Sequence, residues 1–388
     1  MTFLSDFQLP EATKIIFEEG GVSRLSEFVP WESILLVTTE GATRRGTTEA
    51  VKSVLSGKDL EVFDGITPEP QLDALERMGN QYRGRNFDGI VAVGGGSTID
   101  TAKILSYLLG SSTQNLRRHF ENGEELEGGP FTPIVAIPTT AGTGSEVTSF
   151  ATVWDGSNYK KYSLSLRDLA PKVAILDSQL TWDVPRSLTL STGLDALCQG
   201  IESAWSRAAT DASMMWALRA VSLTLESLPK VVSEGSDGQM RAKMLQASLL
   251  AGLAINVTKT TLPHSISYPL TMRFGVPHGL ACAFTVVQVL EFNAADGSER
   301  ILNIGHELGF SSVEDLANEL RMLMKRTGAL DWLATLIPSE DQLVPITEET
   351  ITPGRADNNP RTPSFGDVEA ILRGARKELP GVIDSISR

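Results

Sequence analysis

Cysteine is nearly absent: Cys198 and Cys282 are the only two in 388 residues. That is too few for a disulfide framework or a four-cysteine metal site, and both are expected to be buried, reduced thiols. Positive charge is also short, with 34 Lys and Arg against 48 Asp and Glu and a formal net charge of -14. A sequence-independent grip on nucleic acid or on an anionic membrane needs basic surface, so neither partner is expected. An anionic small substrate would have to be met by a local basic pocket. No stretch approaches the roughly 18 apolar residues of a membrane span, and residues 1–20 lack a basic start followed by an apolar run. A cytoplasmic protein is the expectation. What remains, 41% hydrophobic and 21% charged residues, is ordinary globular composition at a length that suits two domains or three.

The residues that are present divide along the chain. Ser33–Thr38, Leu60–Phe63, Gly89–Val93, Pro133–Ile137 and Val173–Leu176 are short apolar runs of strand type, several followed by helix-compatible stretches such as Thr43–Leu55. That alternation predicts a parallel α/β sheet. From about Ser187 the pattern turns long and helical, over Ser187–Trp205, Asp211–Leu228, Met240–Asn256, Val313–Thr327 and Phe365–Lys377, with no later strand of comparable quality. The boundary falls near Trp182–Pro185. Residues 1–182 are expected to form an α/β domain and residues 183–388 an all-helical one, with Pro345–Pro363 as a long connection before the last helix.

Three groups of residues carry candidate chemistry. In VAVGGGSTIDTAK, Val91–Lys103, a buried-type strand runs into three glycines and a helix opens at Ser97, with Asp100 three residues on. Glycines let backbone N–H groups approach an anion, and a helix N-terminus adds partial positive charge, which suits a pyrophosphate. A tight turn with a Ser-x-x-Asp capping box accounts for the same residues without a ligand. In IPTTAGTGSEVTS, Ile137–Ser149, hydroxyls and small residues crowd a loop just past a strand, where open α/β sheets place ligands. Two such loops favour a dinucleotide. The third group is His264 and His278 together with Asp195 and Gln199 of GLDALCQGIES. Asp195 and Gln199 are four apart and share one helix face, so the four residues offer two oxygens and two imidazole nitrogens to a divalent metal.

Over essentially its whole length the chain resembles the iron-containing alcohol dehydrogenase family, through ATKIIFEEGGVSRL, GGGSTIDTAK, PTTAGTGSEVT, PKVAILD, GLDAL, HSISYPL, PHG and ADNNPRTPS in the family's order. The resemblance implies a dinucleotide-binding α/β domain, a helical domain carrying a divalent metal, and hydride transfer across the cleft between them. It also implies a homodimer or larger homo-oligomer. Asp195, His264 and His278 match three of the family's four metal ligands; the usual fourth, a histidine, is replaced by Gln199. An amide oxygen is a harder donor than imidazole, which weakens binding of nitrogen-loving metals and makes Fe(II) the expected ion, with Zn(II) or Mn(II) as alternatives and a weakened or metal-free site as the competing reading.

GLDALCQGIESAWS, TKTTLPHSISYPLT and GVPHG are together similar to the phosphonoacetaldehyde reductase branch, implying reduction of phosphonoacetaldehyde to 2-hydroxyethylphosphonate. A general short-chain alcohol dehydrogenase or a sulfoacetaldehyde-type reductase is the alternative within the family. A dehydroquinate synthase-like cyclase and a non-catalytic dinucleotide-binding protein are the alternatives outside it. Lys259 is the expected cation for a substrate phosphonate, whereas Arg273 reads as an ordinary surface charge. Tyr268 stands where many family members carry a second histidine, so its phenol is a candidate proton donor, with core packing as the other reading. The resemblance places Thr139, Thr140, Thr143 and Ser145 along the cofactor, Gly95, Gly96 and Ser97 at its pyrophosphate, Asp100 at the nicotinamide end and Lys161 beside it. Thr39 replaces the aspartate that NAD-preferring relatives use on the ribose, and Arg44 or Arg45 lies near, so NADPH is expected to be accepted alongside NADH.

Overall fold

The computed structural model describes residues 6–8, 13–111, 115–126, 129–235, 237–352 and 354–381. The chain falls into two compact units, Met1–Thr140 with Gly144–Val184, and Ala141–Thr143 with Pro185–Arg388. The short loop Ala141–Thr143 thus packs with the second unit, a detail no boundary read from sequence contains.

The strands in chain order are β1 (Asp6–Gln8), β2 (Lys14–Phe17), β3 (Ser33–Val37), β4 (Asp59–Phe63), β5 (Gly89–Gly94), β6 (Ile134–Pro138), β7 (Phe150–Asp155), β8 (Lys160–Ser165) and β9 (Val173–Leu176). Seven of them form one sheet in the order β1-β2-β9-β6-β5-β3-β4, parallel except for the β1–β2 pair. Its central strands are apolar at every position because both faces are covered. Leu36, Val91, Val93, Val135 and Ile137 pack on one face with Val51 and Leu55. Leu35, Ile90, Ala92, Ile134 and Ala136 pack on the other with Ile99, Ala102 and Leu105. The expected α/β class holds.

Local departures have local causes. The helix read over Thr43–Leu55 is two helices, Glu40–Arg44 and Thr47–Val54, because Gly46 adopts φ 83 and ends the first turn. The β7–β8 hairpin escaped sequence reading because β8, KKYSLS, buries only Leu164. Its partner β7 turns Ala151 and Val153 onto Ile104, Tyr107 and Leu108 of the helix Gly96–Gly110.

The second unit is helical, and the described residues contain no strand after β9. Its main helices are Arg186–Trp205, Asp211–Glu234, Gly238–Thr258, Leu262–Phe274, His278–Ala294, Val313–Thr327 and Phe365–Lys377. The second of these runs past the expected Leu228 and through Pro229, because Val231 and Val232 are buried in the common core and hold the last turns in place. The connection expected over Pro345–Pro363 contains two short 3-10 turns, Val344–Glu349 and Ala356–Asn358.

Candidate functional site

The helix Arg186–Trp205 is buried from Gly193 to Trp205, so its polar side chains must find partners inside the protein. Asp195, Gln199 and Glu202 stand at i, i+4 and i+7 on one face of it. Two other helices begin with histidine-bearing turns. Pro263 occupies the first turn of Leu262–Phe274, placing His264 just inside it, and His278 itself opens His278–Ala294. Gly279 is what lets that last helix come close: a Cβ there would lie 1.8 Å from the Ser191 carbonyl oxygen and 3.0 Å from the Asp195 nitrogen. No other residue type permits that approach, which sets His278 beside the Asp195 face.

The result is a compact group. Donor atoms of Asp195, His264, His278 and Cys282 all lie within 4.8 Å of one another. His264 Nε2 is 3.2 Å from Asp195 Oδ1, and the two imidazole centroids are 5.3 Å apart. Each ring is oriented from behind. Glu202 Oε1 accepts from His264 Nδ1–H, while Glu202 Oε2 accepts from the Thr261 N–H at 2.6 Å and from the Thr261 hydroxyl at 3.1 Å. Ser267 donates to the His264 carbonyl at 2.7 Å, leaving its oxygen to accept from His278 Nδ1 at 3.4 Å. With both Nδ1 atoms engaged, Nε2 of each ring is the atom left for a metal to take in place of a proton, the usual arrangement behind a metal.

The electrostatics agree with a cation here. Burial works against the charged form of His264, but the Cys282 sulfur, Glu202 and Asp195 raise its pKa well above the ordinary imidazole range. Burial is also the main cause that lifts the Cys282 thiol. Gln199 is 4% exposed and its Oε1 has no hydrogen-bond partner. A buried acceptor without a donor costs about 1–3 kcal/mol, and a divalent ion in the group would satisfy it. These residues therefore fit a metal. Sequence reasoning missed two members. Glu202 was legible in the i, i+4, i+7 spacing of Asp195, Gln199 and Glu202; Cys282 lies one turn after His278 and was set aside as a buried thiol.

Tyr268 is 7% exposed, and its ring lies 6.2 Å from that of His278 at an interplanar angle of 21°. Lys259 follows the helix Gly238–Thr258 with φ 60 and ψ -178, a conformation that costs a non-glycine residue on the order of 1–3 kcal/mol. Asn358 Nδ2 holds it there, donating to the carbonyls on either side, Thr258 at 2.7 Å and Thr260 at 3.1 Å. Burial, with help from the Arg355 charge, lowers the Lys259 pKa to about 8. Arg355, the residue just before the ADNNPRTPS segment, is thus a second cation within electrostatic reach of the first. Arg273 is instead paired with Glu349 through two contacts, 2.8 and 2.7 Å, at the surface.

In the α/β unit the two glycine- and hydroxyl-rich loops leave adjacent parallel strands, Gly94 pairing with Pro138 in register. The Thr139 N–H donates to the Gly94 carbonyl at 2.9 Å, tying the loops together. The helix Gly96–Gly110 has Gly95 as its N-cap and no side-chain cap, so the capping-box reading of Ser97 and Asp100 does not apply and no side chain competes with an anion for the helix N-terminus. Asp100 is used otherwise. Its Oδ1 accepts from Ser145 Oγ at 2.5 Å and its Oδ2 from the Thr152 N–H at 2.9 Å, so it braces the loop. Fully buried Lys103 donates to Ser145, Thr148 and the Phe150 carbonyl at 2.8–2.9 Å. Glu146 beside it is 1% exposed, and burial raises its pKa to about 7. Thr140 borders Gly95, and Lys161 lies over the Trp154 ring at 5.1 Å. Thr143 belongs to the stretch that packs with the helical unit, where the neighbouring Gly142 N–H donates to Ser248 at 2.7 Å. Thr39 caps a short helix through the Ala42 N–H at 3.1 Å, and Arg44 is paired with Glu40 at 3.0 Å in solvent.

Comparison with known proteins matches both units. Residues 12–178 fit the family model described as iron-containing alcohol dehydrogenase, and residues 189–376 the model for the C-terminal part of the Fe-containing alcohol dehydrogenase family. Among solved structures, sulfoacetaldehyde reductase from Bifidobacterium kashiwanohense in complex with NAD+ superposes with a TM-score of 0.86 at 30% identity, over 96% of this chain and 99% of that one. Phosphonoacetaldehyde reductase of Streptomyces viridochromogenes is 38% identical over 239 residues, 60% of each chain. NAD-dependent methanol dehydrogenase of Bacillus methanolicus is 29% identical over 96% of this chain and all of that one. Matched along both of its units by the models of one enzyme family, the chain belongs to the iron-containing alcohol dehydrogenases.

Proposed function

We propose that this oxidoreductase reduces a small anionic aldehyde to its primary alcohol with NAD(P)H, and that the aldehyde is phosphonoacetaldehyde, giving 2-hydroxyethylphosphonate. Asp195, His264 and His278, with Gln199 beside them, hold a divalent ion. When bound, that ion supplies Lewis-acid polarisation of the carbonyl, and the reduced nicotinamide supplies hydride. Gly95, Gly96 and Ser97 take the cofactor pyrophosphate on the uncapped helix N-terminus. Thr139, Thr140, Thr143 and Ser145 line the cofactor, with Thr39 at the ribose and Lys161 alongside. Tyr268 delivers the proton that the forming alkoxide needs, from its phenol directly or through water. Asp100 and Lys103 keep the Ser145 loop in shape.

The observation that carries the substrate assignment is the Lys259 site: a lysine in a costly backbone conformation, clamped by Asn358, with Arg355 close enough to lower its pKa. Two cations held near each other repel, and a doubly charged anion relieves that repulsion better than a singly charged sulfonate or a neutral aldehyde. A hydrogen bond to a charged group contributes roughly 1.5–3 kcal/mol. Lys259→Ala is therefore expected to lower kcat/KM for phosphonoacetaldehyde by about ten- to a hundredfold and to leave a neutral aldehyde of similar size nearly unchanged. The pH profile is a second test of the same reading. Lys259 has to be charged to hold the anion, so kcat/KM for phosphonoacetaldehyde falls as pH rises through about 8, while the neutral aldehyde shows no such limb. Equal losses on both substrates would make Lys259 structural; no loss on either would leave a general short-chain alcohol dehydrogenase as the better assignment.

A further inference from the structure

Cys282 has no assigned role, yet its Sγ shares the 4.8 Å group with Asp195, His264 and His278. It lies 3.9 Å from each ring nitrogen of His278 and also interacts with His264. A tetrahedral ion with bonds of roughly 2.0–2.3 Å spaces its donors about 3.3–3.8 Å apart. Two of the separations, 3.2 Å between His264 Nε2 and Asp195 Oδ1 and 3.9 Å between Cys282 Sγ and His278 Nε2, are within a few tenths of an ångström of that spacing, and the whole group, within 4.8 Å, has to close by at most about 1 Å to reach it. Helix register explains the convergence. Cys282 follows His278 by one turn as Gln199 follows Asp195 by one turn, so each of two facing helices offers a pair of donors on one side.

We infer that Cys282 Sγ is a metal ligand of this chain, so that Asp195, His264, His278 and Cys282 grip the ion and Gln199 is the weak, exchangeable donor. The inference rests on the reading of the group as a metal site. A neutral amide oxygen is a poor replacement for imidazole, whereas a thiolate is a strong, soft donor that selects zinc. The donor lost at residue 199 is thus restored from another helix, and the preference shifts toward Zn(II), opposite to the hardening that Gln199 alone implies. On binding, the S–H bond of Cys282 breaks, the sulfur–metal bond forms and the proton leaves to solvent, with no change of oxidation state.

Cobalt(II) substitution of the metal-stripped full-length protein tests this. Visible d–d bands report that the ion is bound, and a near-ultraviolet sulfur-to-cobalt charge-transfer band reports a thiolate ligand. The wild type is expected to show both. Cys282→Ser should keep the visible bands and lose the charge-transfer band, and its zinc affinity should fall by more than the roughly 10–100-fold that loss of an outer-sphere partner costs. Cys198→Ser should keep both signals. If Cys282→Ser does not fold, Cys282→Ala replaces it, since it adds no buried hydroxyl. Visible bands without a charge-transfer band in the wild type, or a charge-transfer band that survives at Cys282→Ser, would overturn the assignment while leaving the metal site standing. A wild type that binds no cobalt at all would remove the metal site itself, and Cys282 with it.

Discussion

At the ends of β5 and β6, the candidate cofactor loops are made of backbone N–H groups and short hydroxyls from segments contiguous in sequence. In the helical unit, the candidate metal site is made of side chains from three helices, between residues 195 and 282, with nothing local to announce that they meet. The first kind of site is inseparable from its fold: a strand, a glycine turn and a helix start are also structural elements. The second needs only that three buried helices keep their register, so a donor can differ, as at Gln199, while the apolar helical core stays in place.

The largest effect expected from this contrast is chemical and confined to the helical unit. His278→Ala should abolish bound metal, read by elemental analysis, and lower kcat by at least about a thousandfold, several kcal/mol of transition-state stabilisation. Its far-ultraviolet circular dichroism should be unchanged, because the helical core is apolar without the ion. Unaltered metal content would show that the site is not organised around His278.

A smaller effect is thermodynamic and belongs to the α/β unit. Burial lifts the Glu146 carboxyl from the ordinary 4.5 to about 7 in the fold. Between those values the native chain keeps a proton that the unfolded chain releases, so stability declines as pH rises from about 4.5 through about 7. Glu146→Gln removes that slope and should raise stability at pH 8 by at most about 3 kcal/mol, with little change near pH 4. Melting temperatures at the two pH values check it; a parent protein whose Tm is as high at pH 8 as at pH 5 would show that Glu146 ionises normally.

The smallest effect is at the surface. Arg44 is 73% exposed and already paired with Glu40, an arrangement worth roughly 0.2–1 kcal/mol. Arg44→Ala is expected to change KM for NADPH by no more than about fivefold and KM for NADH hardly at all. A larger loss specific to NADPH would mean that Arg44 leaves Glu40 to bind the 2′-phosphate.

Legibility followed the same divide. Buried runs such as GIVAVG and IVAIP announce parallel strands, because a strand covered on both faces has no reason to alternate, and the helices Val313–Thr327 and Phe365–Lys377 fall where their periodicity ends. The β7–β8 hairpin was not legible because β8 is half exposed and carries little apolar signal. Asp195, His264 and His278 were found by residue type and motif order. Glu202 followed from helical spacing that was available and unused. Cys282 carried the same one-turn spacing from His278 that Gln199 has from Asp195, but a buried thiol at that spacing is equally ordinary core, so only its place among the donor atoms distinguishes it.

The sequence by itself determined the order of elements, the two-part division into sheet and helices, and the chemical types gathered at each loop and helix, because each depends on patterns spanning at most a few turns. Tertiary structure alone decided which of those residues meet. Gly279 pressed against Ser191 brings His278 to Asp195, Asn358 bends the backbone at Lys259, and helix register swings Cys282 onto the histidines. Each of these is a contact between segments far apart in the chain, fixed by close packing of helix backbones, and no local propensity encodes it.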